Sequence, residues 1–423
     1  MIKVFGYHCG NNGVSMYRVW QPLEALDKEE FRVRRVPNRS ERINWQGLTG
    51  PSNVPTIGSH AEIIEKNDII FSCFRANEDD CARLTITSKL KKLVVDIDDD
   101  VMHLPSDNLN YKFWFSEENG RDYWGEIPED EIDNPKWEKM EAAGEGQLLT
   151  HPKTGKLCFV MVKRHPVEMV IDEIKAAHLV TVSTPRLKDV YGQYNKNMIV
   201  VSNAIDFSKY PTLITPRKDG IIRLGLFGSN SHYRDWKVIS KPLHNILKEF
   251  PNVHLCFNTW FKAKGSQGAS MDEQELTPVV PDFFDDLMNH PQVEPFAGVE
   301  LDYYHDWLAD KQVDIGLAPL CDSEFNLAKS NIKYLEFSAL HVPGVYQDYE
   351  PYKHDIRQGA NGYLAKDSLQ WERCLRTLIL DATLRQKMGD RAHADVKARY
   401  DVKNVARKLG HALKKLMAVP VEA

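Results

Sequence analysis

The most informative segment of the sequence reads Leu327-Ala328-Lys329-Ser330-Asn331-Ile332-Lys333-Tyr334-Leu335-Glu336-Phe337-Ser338-Ala339-Leu340. Its apolar residues recur at helical spacing, and Ser330 or Asn331 is suited to cap the start of a helix over 330–340. The free backbone N–H groups and the dipole of such a start favour a bound phosphate. The positions that we expect to face the core are Ile332, Leu335 and Ala339.

One face of this helix would carry two lysines and a carboxylate. Lys329 and Lys333 are four residues apart and Glu336 is three further on, so the three share a face. They would offer cations to the phosphates and an acceptor to the ribose hydroxyls of a nucleotide. An ordinary solvated helix is the alternative. We favour a nucleotide site because the helix follows the apolar run 313–318, and α/β sheets bind ligands beyond the carboxyl ends of their strands.

Short apolar runs alternate with amphipathic segments along the chain, which predicts an α/β protein with parallel sheets. Several runs are apolar nearly throughout, as in strands that are covered on both faces. Between them lie helical patterns such as 236–250. The predicted strands are 2–7, 69–73, 93–97, 179–182, 198–201, 221–227, 253–257, 313–318 and 342–346.

The alternation starts twice, on either side of the turn-rich segment 206–219. We therefore predict one Rossmann-like domain over 1–205 and a second over 206–399. Residues 104–165 have a weak pattern and are interpreted as an insertion in the first domain. The segment 400–417, within the terminal stretch 400–423, has the pattern of a basic amphipathic helix.

The composition is that of a globular protein. Of the 423 residues, 42% are hydrophobic and 27% are charged, and the net charge of −6 excludes a global basic field that would attract nucleic acid. The seven cysteines are scattered, which indicates reduced thiols and a cytoplasmic protein. We predict no signal peptide and no transmembrane segment, and peripheral contact with a membrane stays open.

Two glycine-containing loops are further candidates for phosphate binding, because small residues let backbone amides approach phosphate oxygens. One follows the strand 221–227 and lacks the Gly-Lys-Ser/Thr sequence of a Walker loop. The other, 10–18, follows the first strand and contains Gly13; an ordinary strand–helix loop is the alternative. The candidates in and after the first of these loops are Gly228, Ser229, Asn230, His232, Arg234 and Lys237.

An acidic run, Val94-Val95-Asp96-Ile97-Asp98-Asp99-Asp100, ends one predicted strand. Such carboxylates can hydrogen-bond sugar hydroxyls, hold Mg²⁺ or Mn²⁺, or cap the next helix. A bare acidic run is more often solvated or structural. We therefore assign no metal ligand and leave a divalent ion open.

A basic cluster lies in the first half of this acidic chain. A solvated rim is one interpretation, and a surface for DNA phosphates or anionic lipid headgroups is the other. The cluster consists of Arg32, Arg34, Arg35, Arg39 and Arg42.

The segment 329–340, followed by His341-Val342-Pro343, resembles the donor-binding motif of group-one (family-four-like) retaining glycosyltransferases of the GT-B fold. The segments 182–185 and 199–206 resemble the end of the first half and the domain crossover of that family. The run 95–99 is similar to one in its polysaccharide-type members.

This resemblance implies two Rossmann-like domains that face each other across a cleft, with a C-terminal helix that crosses back to the first domain. The C-terminal domain would bind the nucleotide sugar, and the loop at Gly13 would close over it. Glu336 would bind the ribose. The diphosphate would be held by Lys329, Ser330, Asn331 and Lys333, with Arg234 or Lys237. The N-terminal domain would bind the acceptor, with Tyr17, Arg18, Asp96, Asp98, Arg32, Arg34 and Arg35 as candidates.

The chain departs from the family at one position. The family often has two glutamates eight residues apart, but Ala328 stands eight residues before Glu336, and the nearest acid is Glu324. Either Glu324 reaches the sugar from a longer loop or this role is lost. The catalytic candidates are thus Lys333, Glu336 and Glu324.

The function that the resemblance implies is retaining transfer of a sugar from a nucleotide-diphosphate sugar, with a UDP-sugar expected, to an acceptor hydroxyl. No tightly bound cofactor is expected. A surface glycan or a lipid-linked glycan is the expected acceptor, and hydroxymethylated pyrimidine in phage DNA is the alternative. Two other interpretations are a sugar-nucleotide epimerase and a non-catalytic protein that binds nucleotide sugars.

Overall fold

A computed structural model of the chain describes residues 1–7, 12–35, 42–44, 56–76, 78–108, 110–115, 122–143, 145–162, 165–211, 217–228, 232–264, 275–279, 284, 287 and 290–420. Within these residues the chain forms two α/β halves, each built on a parallel sheet. The predicted fold class is confirmed.

The first sheet has six parallel strands, most of which are buried because helices cover both faces. All the strands predicted for this half are present, with ends shifted by at most one residue. Their spatial order is Met198–Val200, Leu179–Val182, Lys92–Ile97, Ile69–Cys73, Ile2–Tyr7 and Phe31–Arg35.

The second sheet also has six parallel strands, and Glu275–Val279 adds an antiparallel pairing to the far end of one of them. Two of its strands begin two residues later than predicted. The spatial order of the parallel strands is Val293–Ala297, Val253–Lys264, Ile222–Leu226, Ile315–Ala318, Gly344–Gln347 and Tyr363–Ala365.

The helices lie on the faces of these sheets. Those of the first half are Gly13–Ser15, the π-helical turn Met16–Trp20, Gln21–Glu24, His60–Lys66, Glu78–Leu90, Tyr111–Phe115, Lys136–Ala142, Pro166–Ala176 and Pro185–Tyr191. Those that follow are Tyr233–Lys237, Ser240–Glu249, Tyr304–Asp310, Glu324–Leu327, Ile332–Ala339, Glu350–Lys353, Ser368–Leu380, Ala382–Tyr400 and Val402–Met417.

The segment predicted as an insertion, 104–165, contains a small antiparallel sheet in the order Asp122–Glu126, Leu157–Val162, Gln147–Thr150. These strands are short and two of them carry several polar residues, so their pattern is too weak to read from the sequence. The sequence also did not indicate the edge strand Phe31–Arg35. Three of its five residues are arginines, so the inward-facing Phe31 and Val33 do not form a recognisable apolar run. A further two-stranded pair joins Arg42–Asn44 to Thr56–Ser59.

The last helix crosses back to the first half, as the resemblance implied. Its buried face packs there so closely that a Cβ added at Gly410 would lie 3.2 Å from the side chains of both Leu26 and Phe31. Lys414 adds an ion pair with Glu30, at 2.7 Å. The helix starts at Val402 rather than at residue 400, because the side chain of Asp401 accepts a capping hydrogen bond from the Lys403 N–H.

The predicted helix 236–250 is instead two helices, Tyr233–Lys237 and Ser240–Glu249. Pro242 explains the break. It has no N–H to donate to the carbonyl of Val238, and its ring would clash with that carbonyl in a continuous helix. The proline is tolerated because it falls in the first turn of the second helix.

Glu173 predicts a pH dependence of folding. It is buried, its Oε2 accepts from the Arg75 N–H at 2.9 Å, and its Oε1 has no hydrogen-bond partner among the described residues. Burial raises the pKa of this carboxyl to about 8. In the unfolded chain it ionises near 4.5, so the free energy of unfolding should fall as pH rises between these values.

Glu173→Gln should remove this dependence. At pH 8 we expect the variant to be more stable than the wild type by about 3 kcal/mol, and at pH 5 we expect most of the difference to be gone. Urea denaturation of both proteins at the two pH values measures this. An equal difference at pH 5 and pH 8 would show that Glu173 does not titrate as described.

Candidate functional site

A cleft of about 1070 Å³ lies where the carboxyl ends of the two parallel sheets face each other. It is lined by loops that follow strands of both halves, such as those at Gly13, Asp98, Gly228 and Gly298. The predicted site residues that line it are Gly13, Tyr17, Arg18, Asp98, Gly228, His232, Lys329, Ser330, Lys333 and Glu336.

Glu336 is a tightly held carboxylate of the cleft. It is only 3% exposed, although it lies on the cleft wall. Its Oε1 accepts a hydrogen bond from the Tyr17 hydroxyl at 2.8 Å, and its Oε2 accepts one from Lys333 Nζ at 2.7 Å. Tyr304 lines the same wall of the cleft, close enough for the charge of Glu336 to act on its hydroxyl. Glu336 is therefore fixed in direction by donors from both halves of the chain.

The tyrosines around Glu336 keep their protons. Burial, followed by the negative charge of Glu336, raises the pKa of Tyr17 well above its usual value. The same two causes raise the pKa of Tyr304. The Tyr17 hydroxyl thus acts as a hydrogen-bond donor to the carboxylate at neutral pH, and Tyr304 keeps its proton as well. Tyr17 lies in the π-helical turn Met16–Trp20, a type of irregularity that is frequent at functional sites.

The helix that carries Lys333 and Glu336 is Ile332–Ala339, so it starts two residues later than predicted. Asn331 occupies the N-cap position, but its side chain makes no capping bond and instead donates to Asp355 at 2.5 Å. Ser330 lies before the helix, and its Oγ accepts from Asn203 Nδ2 at 2.8 Å. Ile332 packs against the core cluster as expected, but it is only half-buried and also lines the cleft.

Lys329 does not share the helical face of Lys333, because it precedes the helix. Its Nζ lies 3.5 Å from Asp99 Oδ1, across the cleft, and 4.4 Å from the centre of the Phe325 ring. The two lysines thus approach the cleft from different segments.

His232 and Gly228 line the cleft after the strand Ile222–Leu226. His232 Nδ1 lies 2.9 Å from Asp235 Oδ2, and Asp235 also accepts from the Cys321 N–H and from Asn326. Burial alone would raise the pKa of Asp235, but the hydrogen bond and the charge of His232 outweigh burial and hold that pKa below its usual value. Asp235 therefore stays ionised and orients His232.

Several predicted residues do not line the cleft. Arg234 forms an ion pair with Asp107 at 2.7 Å, which joins the two halves, and Lys237 is exposed. Glu324 accepts from Arg186 at 2.6 Å and its side chain is 56% exposed. Ser229 and Asn230 lie outside the described residues.

Arg18 and Asp96 are paired with each other. Both side chains are about 2% exposed or less, and the guanidinium donates to both carboxylate oxygens at 2.9 and 2.7 Å. Arg18 also donates to the Val201 carbonyl and to Asn203. Asp96 therefore holds Arg18 in place instead of facing the cleft, whereas Asp98, two residues on, lines it.

The predicted basic cluster lies on the edge strand of the first sheet. Arg32 and Arg34 are exposed there, while Arg35 pairs with Glu24 at 2.6 Å and lies over the Trp20 ring. These three are not among the described residues that line the cleft. Arg39 and the side chain of Arg42 fall outside the part of the chain that the structure describes.

Other residues of the cleft were not singled out from the sequence. Tyr304 and the segment 297–301 form one wall, together with Phe227. Tyr304 and residues 298–301 follow the strand Val293–Ala297. Glu294 and Pro295 interrupt the apolar pattern of that strand, so the sequence did not indicate it. Asn203 and Asp99 also line the cleft. The sequence places Asp99 in the acidic run but gives no sign of which acids of that run are buried.

Among the described residues, no group of three or more histidine, cysteine, aspartate or glutamate side chains could hold a metal ion. None of the helices in the described ranges is long and apolar enough to cross a membrane.

No protein-family model and no curated protein matches the chain. Solved structures do. A structure of Anabaena HepE in complex with UDP is 12% identical, with a TM-score of 0.56, and the alignment covers 98% of this chain and 100% of that one. Sucrose-phosphate synthase from Thermosynechococcus elongatus is 10% identical over 99% and 100% of the two chains, with a TM-score of 0.56. A glycosyltransferase from Rickettsia africae is 11% identical over 99% of each chain, with a TM-score of 0.57. These likenesses establish the GT-B fold.

Proposed function

We propose that the protein is a retaining glycosyltransferase that moves a sugar from a UDP-sugar to a hydroxyl of a surface glycan or lipid-linked glycan. The observation that carries the proposal is the pair of Lys333 and Glu336, held 2.7 Å apart on the wall of a cleft of about 1070 Å³. In this account residues 206–399 bind the donor, residues 1–205 bind the acceptor, and residues 400–423 tie the two together.

The donor's nucleotide fits the chemistry of this wall. Glu336, already held by Tyr17 and Lys333, would accept hydrogen bonds from the two ribose hydroxyls. Lys333, with the first turn of its helix, would bind the diphosphate. Gly228 and the oriented His232, which line the same cleft, would also approach the diphosphate.

The transfer itself needs no protein nucleophile in this account. The bond between the anomeric carbon and the phosphate oxygen breaks, and the acceptor oxygen forms its bond to that carbon on the same face. The acceptor's proton passes to the leaving phosphate. Lys333 and the backbone amides stabilise the negative charge that develops on the leaving diphosphate, and the cleft excludes water.

The fold supports this proposal, since structures that share it include HepE in complex with UDP and in complex with UDP-glucose. We assign no tightly bound cofactor. Whether Mg²⁺ or Mn²⁺ assists is tested by adding EDTA to the assay below.

A second candidate acceptor is hydroxymethylated pyrimidine in DNA. It is favoured by the exposed Arg32 and Arg34 on the presumed acceptor half. The adjacent helix Val402–Met417 adds five cations and no acidic residue. A DNA affinity that falls steeply with salt, and falls further in Arg32→Ala/Arg34→Ala, would favour this acceptor.

A donor screen tests the proposal. The protein is incubated with UDP-, GDP-, ADP- and dTDP-sugars, with and without hydroxymethylated DNA, and free nucleoside diphosphate is measured by mass spectrometry. We expect release from one donor, strongly increased by the right acceptor. Isomerised donor in the absence of acceptor would indicate an epimerase, and tight binding of intact donor without turnover would indicate a non-catalytic protein.

Glu336→Gln should weaken nucleotide binding. The amide keeps the size of the side chain but loses the charge and one acceptor oxygen, so we expect the Kd for the nucleotide to rise about tenfold or more. Isothermal titration calorimetry measures this, with Glu249→Gln, an exposed glutamate of the same half, as the control. An unchanged Kd in Glu336→Gln would contradict the ribose assignment.

A further inference from the structure

Two carboxylates from the N-terminal half enter the cleft beside Lys329. In the acidic run that ends the strand Lys92–Ile97, Asp96 forms an ion pair with Arg18, and Asp100 is buried beside His103. Asp98 and Asp99 line the cleft. The fold therefore divides the run into two buried acids, Asp96 and Asp100, and two that line the cavity, Asp98 and Asp99.

On the segment 324–330 of the C-terminal half, none of the described residues that line the cleft is a carboxylate. Ala328 is fully buried, and its carbonyl accepts from the Thr184 hydroxyl at 2.9 Å, so this position faces the first half and not the cavity. Glu324 is turned outward to Arg186. Among the described residues that line the cleft, the carboxylates are Asp98, Asp99, Glu300 and Glu336. Glu336 is already held by two donors, Tyr17 and Lys333.

Asp99 is placed to accept hydrogen bonds from the hydroxyls of a ligand. Its side chain is 39% exposed, and its contact with Lys329 Nζ, at 3.5 Å, is longer than a hydrogen bond. Lys329 is itself held beside the Phe325 ring. The carboxylate therefore keeps acceptor capacity toward the cavity while its position is fixed by a cation from the other half.

The sugar ring of a nucleotide sugar is attached directly to the diphosphate. The segment that precedes the helix lines the same cleft with Lys329 and Ser330, so a sugar attached to a diphosphate at Lys333 can lie beside this segment. Sugar hydroxyls bind best to ionised acceptors, since such hydrogen bonds are the strong ones.

We propose that Asp99, paired with Lys329 across the cleft, recognises the hydroxyls of the donor's sugar ring. This inference rests on the proposed function and goes further, because it assigns sugar recognition to the N-terminal half. The nucleotide and the sugar of one donor are then recognised by carboxylates from different halves of the chain.

The test compares Asp99→Asn with the wild type in calorimetric titrations of UDP and of UDP-glucose. We expect the affinity for UDP to change less than twofold, and the affinity for UDP-glucose to fall about tenfold. Asp189→Asn, an exposed aspartate of the same half outside the cleft, should change neither. Thermal melting of each variant confirms that it is folded.

Lys329→Met supplies a second, independent change at the same pair and should also reduce the affinity for UDP-glucose more than the affinity for UDP. Equal affinities of wild type and Asp99→Asn for UDP-glucose would overturn the inference while leaving the proposed function intact. An equal loss for UDP and UDP-glucose would overturn it too. If the wild type bound neither compound, the proposed function would fail first.

Discussion

Replacing Lys333 with alanine is expected to lower turnover by about 10²–10³-fold. Its ammonium is the cation nearest the proposed diphosphate, and it is held in place by Glu336 Oε2 at 2.7 Å. The charge on the leaving diphosphate grows in the transition state, so a fixed cation contributes more there than in the bound donor. Steady-state assays with the donor found in the screen measure the loss in kcat.

This variant should lose some stability, because Lys333 is the cation beside the buried Glu336 carboxylate. We expect it to stay folded, since the Lys333 side chain is 21% exposed and Glu336 keeps the Tyr17 hydroxyl as a donor. Lys248→Ala, at an exposed position of the same half, is the matched control and should keep full activity. A Lys333→Ala enzyme within threefold of wild-type kcat would contradict the role assigned to Lys333.

Arg18→Ala is expected to be among the most destabilising single changes in the chain. It leaves the carboxylate of Asp96, buried to the same degree, without its cation, and it removes the donors to the Val201 carbonyl and to Asn203. Breaking a buried pair by removing one partner costs about 3–5 kcal/mol. Because Arg18 ties the first helical segment to the strand Lys92–Ile97 and to the crossover after Met198–Val200, the loss should be global.

Urea denaturation measures this loss as a lower midpoint. Arg34→Ala removes an exposed arginine of the same half and should stay within about 0.5 kcal/mol of the wild type. A double variant, Arg18→Met/Asp96→Leu, should recover much of the stability because it leaves no charge unpaired. A loss below about 1 kcal/mol in Arg18→Ala would show that this pair is not buried as described.

The sequence predicted the sheets well because buried parallel strands are nearly continuous apolar runs. The strand Ile2–Tyr7 and the strand Ile69–Cys73 have the bounds that were expected. The sequence did not predict strands that are buried on one face only or that contain several charged residues. The strand Phe31–Arg35, with its three arginines, is an example. The helix 236–250 was predicted as continuous because its apolar spacing is regular and the effect of Pro242 was not taken into account.

The site was predictable where one segment supplies several groups. Lys333 and Glu336 are three residues apart on one helix, so their common face follows from local geometry. The contact of Tyr17 with Glu336 joins residues 319 apart, and nothing in either local pattern indicates it. The same reason explains why Asp96 and Asp98 could not be told apart: which acid of the run meets Arg18 depends on how the strand pairs in the sheet.

Titration of UDP into the wild type and into Lys333→Ala, followed by calorimetry, tests most directly whether this cleft is a nucleotide-sugar site. GDP, ADP and dTDP are titrated in parallel. The account predicts that the wild type binds one UDP per chain and that Lys333→Ala binds it at least about tenfold more weakly. The account would be contradicted if the wild type bound none of the four nucleotides. It would also be contradicted if the wild type and Lys333→Ala bound UDP with equal affinity.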